Sequence, residues 1–363
     1  MKETIVENKE LTEKLSKNIS LLIKEFINIA LADFTSVASI IKIALKQKEN
    51  EKKRNYYEEN NIHVPPFLIS SITRNCNLKC KGCYDKQKPF TCGEELTIEE
   101  WGNIFDQARD LGVSFILLAG GEPLIKEQLI KDCKNYPEII FPMFTNGLLI
   151  NDEWASYFAS NRNIVPIVSI EGDKTLTDNR RGQGVYEAVI LNLSLLQKKK
   201  IFYGISLTLT TENYGSVLSE EYVEEFIIRG CRVFMYIEYM PFDPATEHLV
   251  INESQQINLE KRLDNLREKF KTIFIAFPGD EAEFGGCLAA GRGFMHLNAI
   301  GDVEACPFAP YSDVNLKNVS LKEALSSKML AKIRDTHALL EEQKGGCALF
   351  ENKTLLQRVL FNK

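Results

Sequence analysis

The chain has 363 residues, of which 44% are hydrophobic, 26% charged and 10% aromatic, and its net charge is −6. This composition excludes collagen-like, low-complexity and disordered classes, and the acidic balance offers no global field to recruit DNA. The length suits one barrel or doubly wound domain with appendages.

Nine cysteines is a high count for a chain that opens MKETIVENKE, which has neither an apolar core nor a cleavage site. The expected compartment is the reducing cytoplasm, where thiols more often bind metal or do chemistry than pair as disulfides. The most apolar early stretch, Ile19 to Lys46, is broken by Lys24, Glu25, Asp33 and Lys42, so no transmembrane segment is expected.

Residues 1–65 read as a helical segment. Leu15, Ile19, Leu22, Ile23, Phe26 and Ile27 recur at three- and four-residue spacing, a second run covers Val37 to Leu45, and Val64-Pro65-Pro66 ends the region. Such a segment serves as a clasp packed on the main domain or, alternatively, as a surface for a partner or lipid.

From Phe67 onward, short β-branched runs alternate with helices. The expected strands are Phe67–Ile72, Ser114–Leu118, Ile139–Phe144, Ile164–Ile170, Tyr203–Thr210 and Arg232–Tyr239. Helices are expected near Thr97–Leu111, Lys126–Asn135, Glu153–Ala159, Val185–Lys198 and Glu220–Arg229. Six βα units in succession imply an α/β fold with a parallel sheet and right-handed crossovers. Residues 66–250 form this core, 251–277 a linking helix and strand, and 278–363 a small cysteine-containing α+β module.

Directly after the first strand come Cys76, Cys80 and Cys83, followed by Tyr84. Three thiolates on one tight loop can hold three irons of a cubane cluster and leave the fourth iron open. Zinc is the rival, but a structural zinc site needs four ligands, and Cys92 is the nearest further thiol. The later strands each end in a polar group: Gly120-Gly121-Glu122-Pro123 after the second, Thr145-Asn146-Gly147 after the third, and Ser169 and Glu171 after the fourth, with Arg181 beyond. The two glycines allow close approach of a ligand whose amino group the exposed backbone could grip. Ligands collect at this C-terminal end of the strands in parallel barrels. Each piece also has a plain reading, as a strand-to-helix turn, an ordinary turn tripeptide, a strand residue or a surface charge. Their joint register along one edge favours a site.

Together these residues resemble the radical S-adenosylmethionine (radical SAM) superfamily over residues 67–243. The resemblance implies a partial (β/α)6 TIM-like barrel and a [4Fe-4S] cluster on Cys76, Cys80 and Cys83 whose open iron chelates S-adenosylmethionine. It implies that Gly120, Gly121 and Glu122 line the methionine amino group, within the Gly120–Pro123 turn. Ser169, Glu171 and Arg181 then match the ribose and carboxylate contacts, Asn146 belongs to the same strand-end set, Tyr84 lies near the adenine, and Met240 is a weaker adenine candidate. The implied chemistry is one-electron cleavage to methionine and a 5′-deoxyadenosyl radical that removes hydrogen from substrate, with electrons from a donor such as flavodoxin or ferredoxin. That first step needs no general base, and His63, His248, His296 and His337 all lie outside the strand-end motifs.

In the last module, Cys287 and Cys347 follow Gly-Gly pairs, and a hairpin with a Gly301-Asp302 turn places Cys306 at a strand end. A helix is expected from Leu321 to Asp335. Buried structural thiols are the plain reading. The spacing is similar to the twitch or SPASM-like extensions of some radical SAM enzymes, which implies one auxiliary iron–sulfur cluster with its fourth ligand unassigned. Cys133 and Cys231 are expected to be structural, and Cys92 is ambiguous. An auxiliary cluster favours net oxidation or cross-linking, on a peptide or protein or, alternatively, on a small molecule or lipid. Glu238, and the Asp280-Glu281 pair, are expected to contact substrate, with solvated acidic surface as the plain reading for the pair. A non-catalytic iron–sulfur electron carrier is the alternative of another class, and the nucleotide-sized strand-end motifs count against it.

Overall fold

The computed structural model describes residues 11, 13–21, 24–25, 29, 37–87, 93–278, 284, 286–340 and 347–361. Leu22, Ile23, Phe26 and Ile27 of the expected N-terminal run lie outside the described residues, as do Cys92, Asp280 and Glu281. Among the described residues, no helix is long and apolar enough to cross a membrane.

The six expected strands all form, within two residues of their expected limits: β1 (Phe67–Ser71), β2 (Phe115–Ala119), β3 (Phe141–Thr145), β4 (Ile164–Ser169), β5 (Tyr203–Leu209) and β6 (Cys231–Glu238). Three more follow, β7 (Ile273–Phe277), β8 (Phe294–Leu297) and β9 (Val303–Glu304). All join one sheet in the order β7-β6-β5-β4-β3-β2-β1-β8-β9. Strands β1 to β8 pair in parallel, and β9 returns antiparallel to β8. The hairpin that carries Cys306 is therefore continuous with the main sheet, through β8 pairing directly with β1 (Phe67 opposite Phe294). The two ends of the sheet come close enough for Phe277 of β7 to pack against Phe294 of β8, ring centroids 5.5 Å apart. Side chains, not ladder hydrogen bonds, close this partial barrel.

One face of the sheet, under the helices, holds the large core of Ile116, Leu118, Phe141, Ile205, Phe234 and their neighbours. The inner face carries a smaller apolar cluster of Val165, Ile167, Phe202, Val233 and Ile273, against which Ile29 of the N-terminal segment packs. Helix starts follow local chemistry. At the helix Ile98–Leu111, Thr97 Oγ1 accepts from the Glu100 amide at 3.1 Å while the Thr97 amide donates to Glu100 Oε2 at 2.7 Å.

The helix Val37–Glu59 grips the edge of the barrel opposite the strand ends that carry the polar motifs. Arg54 Nη1 donates to the Gly112 carbonyl (2.6 Å) and to Ser114 Oγ (2.7 Å), and Asn50 Nδ2 to the Glu138 carbonyl (2.8 Å). Burial holds the Arg54 guanidinium down at about 10. These bonds tie the turns that precede β2 and β3, which is what a clasp does.

Two elements differ from expectation. The polar segment Lys174–Arg181 is a helix, started by Asp173, whose side chain accepts from the Leu176 amide at 2.9 Å. Its sequence has almost no apolar period to announce it. The expected helix Leu321–Asp335 is two helices, Leu321–Ala324 and Lys328–Arg334, because Ser327 interrupts it and caps the second, accepting from the Leu330 amide at 3.1 Å.

Candidate active site

The loop after β1 carries Cys76, Cys80 and Cys83, all half-buried free thiols. Its backbone is bracketed from three sides. The Gly121 amide donates to the Thr73 carbonyl (2.7 Å) and the Glu122 amide to the Asn75 carbonyl (2.8 Å). A side chain at Gly121 would put its Cβ 2.1 Å from the Asn75 oxygen, so only glycine permits this approach. The amides expected to be open to a ligand are thus spent on holding the cysteine loop. From the second side, Glu95 accepts from Thr73 Oγ1 (3.0 Å) and the Arg74 amide (2.8 Å) and pairs with Lys126 (2.7 Å). From the third, the Lys81 amide donates to the Arg180 carbonyl at 2.8 Å.

Glu122 itself is fully buried. Its carboxylate accepts from Thr145 Oγ1 (2.7 Å) and from the Asn146 (2.7 Å) and Leu124 (3.1 Å) amides, and burial pushes its carboxyl upward against those bonds. It is a brace between the ends of β2 and β3, with Pro123 starting the short helical turn that follows. Asn146, so positioned, approaches Cys76 Sγ with its Nδ2 at 3.9 Å, and the Leu78 amide donates to the same sulfur at 3.5 Å.

Positive charge stands over the loop. Arg181 donates through Nε to Glu171 Oε1 at 2.8 Å, and Arg180 Nη1 lies 3.5 Å from Glu171 Oε2. Glu171 is buried at the end of β4 and also accepts from the Thr208 amide at 3.3 Å. Burial pushes the Cys80 thiol up while the nearby Arg181 charge pulls it down, with Cys83 and Cys76 adding to the rise. Ser169, beside Glu171, shares a 3.0 Å hydrogen bond with Ser206 of β5, a residue that no sequence motif marks.

Cys287, Cys306 and Cys347 arrive from three separate segments and are all buried. Cys306 hydrogen-bonds Cys347 and lies within the field of Cys287; burial first, then these neighbours, pushes its thiol well above the ordinary range. The remaining described cysteines behave as structure: Cys133 donates to the Leu129 carbonyl and Cys231 to that of Val233, both fully buried. Among the described residues, no three His, Cys, Asp or Glu side chains are already drawn tightly enough together to hold a metal ion, so each trio is gathered but not closed.

Between the two trios runs a buried polar chain. Tyr84 hydrogen-bonds Ser71, Ser71 Oγ lies 2.8 Å from His296 Nε2, and His296 Nδ1 lies 2.7 Å from Glu304 Oε2, with Asn298 donating to Glu304 Oε1 at 2.8 Å. Tyr84 packs edge-on against Phe308, two residues beyond Cys306, at 5.4 Å.

A cavity of about 440 Å³ opens beside the first loop, lined by Lys81, Gly82, Glu171, Arg180, Asn213 and Tyr239 among others. Tyr84 and Met240 do not line it: Tyr84 faces Phe308, and Met240 is buried in the core beneath the helices. Tyr239 and Gly82 are among the residues that do line it. Glu238 is likewise turned away from the interior. It shares a face of β6 with Phe234 and Tyr236, which lie in the core under the helices. The register of β6 slips at Tyr203/Gly204 against Cys231 and Val233, and both faces of this strand are apolar, so alternation alone does not say which way Glu238 points.

Residues 70–227 match the family described as the radical SAM superfamily. The chain carries a radical SAM domain. It is accordingly an enzyme of a class that uses a [4Fe-4S] cluster and S-adenosylmethionine. Among curated relatives, the AdoMet-dependent heme synthase of Methanosarcina barkeri is 24% identical over 80% of this chain and 90% of its own length. The antilisterial bacteriocin subtilosin biosynthesis protein AlbA of Bacillus subtilis is 22% identical over 77% of this chain and 63% of its own. Among solved structures, Streptococcus suis SuiB bound to precursor peptide SuiA superposes with a TM-score of 0.61 at 19% identity, over 78% of this chain and 70% of that one. The radical SAM fold is thus shared well beyond the matched domain.

Proposed function

We propose that Cys76, Cys80 and Cys83 hold the cluster that binds S-adenosylmethionine, that Cys287, Cys306 and Cys347 hold one auxiliary iron–sulfur cluster, and that the enzyme oxidatively modifies a peptide or protein. The observation that carries this reading is the gathering of three buried cysteines from distant segments beside Tyr84, the residue that follows Cys83.

The residues present fit both groups. At the first site the Leu78 amide and Asn146 Nδ2 point donors at Cys76 Sγ, the usual support of a metal-bound thiolate, and Arg181 supplies positive charge to Cys80 and Cys83. At the second, the three thiols are all buried, which suits a cluster that neutralises their charge. When bound, the cluster and S-adenosylmethionine supply the one-electron cleavage that starts hydrogen abstraction. The chain's own residues position and shield. Glu122 fixes the turn that carries Gly120 and Gly121, the pair that would line the methionine amino group, and Glu171 fixes Arg181. Ser169 with Ser206 offers hydroxyls toward a ribose, and the cavity beside Gly82 accommodates the nucleoside. Phe277, Phe294 and Phe308 close the barrel seam and keep water from the space between the trios.

Peptide or protein as substrate is supported by what AlbA makes and by the peptide bound to SuiB. A second reading, a flat small molecule of the porphyrin class, is favoured by the heme synthase match, which runs along nearly all of that relative. An electron donor such as flavodoxin or ferredoxin and the cytoplasm, where thiols stay reduced, complete the proposal.

Replacing Cys287, Cys306 and Cys347 together by Ala tests it. The variant should lose about half its reconstituted iron yet still yield 5′-deoxyadenosine with dithionite. Unchanged iron would remove the auxiliary cluster from the account.

A further inference from the structure

We propose that the group this enzyme modifies is an uncharged, apolar side chain of its peptide or protein substrate, seated inside the barrel among Phe144, Met235, Ile237 and Phe277. The proposal rests on the peptide reading given above and names the chemistry of the side chain that is taken in.

The strand registers carry one face of the sheet around the barrel. Phe144 lies opposite Ile167, Ser169 opposite Ser206, and Ser206 opposite Met235; Thr208 lies opposite Ile237, which lies opposite Phe277. Alternation along each strand places these residues on the inner face with Val165, Ile167, Val233 and Ile273.

Burial on that face is graded along the strands. Toward the N-terminal ends, Val165, Ile167, Val233 and Ile273 are buried together with Ile29. Toward the C-terminal ends, Phe144, Ser169, Thr208, Met235, Ile237 and Phe277 are only half-buried. The outward-facing residues that alternate with them, such as Val168, Leu207, Phe234, Tyr236 and Ala276, are buried under the helices. A bore filled by its own side chains would bury both faces alike, so the upper half of this one holds accessible space. It opens toward the first cysteine loop. At its rim the Thr208 amide donates at 3.3 Å to Glu171, the carboxylate that holds Arg181.

The strand wall of this space carries no free charge. Above the floor, the inner-face positions of β1 to β7 hold Ala, Ile, Leu, Met and Phe, with the hydroxyls of Ser71, Ser169, Ser206 and Thr208 as the polar members. The ionisable pair on the same face, His296 and Glu304, is buried and spent on itself at 2.7 Å, with Ser71 and Asn298 on the outer sides. A carboxylate in such a space loses its water and gains no counter-charge, whereas an aliphatic or aromatic side chain gains by leaving water. A porphyrin with carboxylate arms meets the same cost, so the wall favours a peptide.

The test is binding of two probes of one shape and different charge, indole-3-propionamide and indole-3-propionate, to full-length, iron-reconstituted protein in its oxidised state. Titrations are followed by ligand-detected nuclear magnetic resonance. Wild-type protein should bind the amide about tenfold more tightly than the carboxylate, and Ile237→Lys, which adds an ammonium to the wall, should reverse that order. Met235→Ser, a milder change, should weaken the amide about three- to tenfold, and it keeps the test decisive where the lysine variant does not fold. Equal or tighter binding of the carboxylate by wild type would overturn the proposal. So would amide binding that neither variant alters, or no amide binding at all, since the bore would then be filled. 5′-Deoxyadenosine formation is measured on the same preparation; its absence would overturn the assignment of Cys76, Cys80 and Cys83, a failure distinct from that of the wall.

Discussion

Replacing His296 by Leu removes the centre of the buried chain that joins the two cysteine trios. The imidazole is 0% exposed, with Ser71 Oγ at 2.8 Å on one nitrogen and Glu304 Oε2 at 2.7 Å on the other. Leucine fills a similar volume but takes from the buried Glu304 carboxylate its 2.7 Å imidazole partner, while the Asn298 bond at 2.8 Å stays. Removing one partner of such a pair costs about 3–5 kcal/mol, a large share of the roughly 5–15 kcal/mol that holds a domain together. The second change, Glu304→Leu, made in the same chain, should recover most of this. The stranded carboxylate is then gone, and Asn298 still reaches Asp302 Oδ2 at 3.2 Å. Urea unfolding of the metal-free full-length chain, followed by circular dichroism, measures both variants. A single variant that loses less than about 1 kcal/mol would refute the reasoning, as would a double variant less stable than the single one.

Three further outcomes follow from the same geometry. Arg54→Met strips two bonds from the turn before β2 and leaves the Gly112 carbonyl and Ser114 Oγ without their donor. It should cost about 2–4 kcal/mol in the same urea assay, whereas a dispensable N-terminal helix would show almost no loss. Gly121→Ala should unseat the cysteine loop and lower iron uptake at the first site, with the far-ultraviolet spectrum of the barrel unchanged; normal iron loading would contradict the close approach to Asn75. Glu95 carries a pH signature. Burial raises its carboxyl, but the Arg74 amide, Lys126 and Thr73 outweigh that and hold it below its ordinary 4.5. Its contribution is therefore present above pH 4.5 and lost as the pH falls through the depressed folded value. Amide exchange in residues 72–79 should quicken below that point, and Glu95→Gln should remove the pH dependence.

Much of the barrel was legible because its signals are local. Strands of Ile, Val and Phe bounded by turn residues, and Thr97 three residues ahead of Glu100, declare themselves within a short window. The cysteine spacing and the strand-end motifs were legible for the same reason. What was not legible depends on pairing across the chain. Nothing near Phe294 announces that β8 will lie parallel to β1, so the hairpin reads as a separate module when it extends the main sheet. Ser71 and His296 meet only because of that pairing. Glu238 was misplaced because β6 is apolar on both faces and its register slips at one end. The roles of Arg180 and Arg181 are indistinguishable in a polar run such as Lys174–Arg181. Only the helix, with Glu171 beside it, turns Arg181 toward the thiols and leaves Arg180 at the wall of the cavity.

The most direct test of the central claim is the iron and acid-labile sulfide content of anaerobically reconstituted full-length protein, with 5′-deoxyadenosine assayed in the same sample after addition of dithionite and S-adenosylmethionine. Two cubane clusters predict about eight irons and eight sulfides per chain, with 5′-deoxyadenosine formed. Bound zinc, or iron without any 5′-deoxyadenosine, would contradict the account.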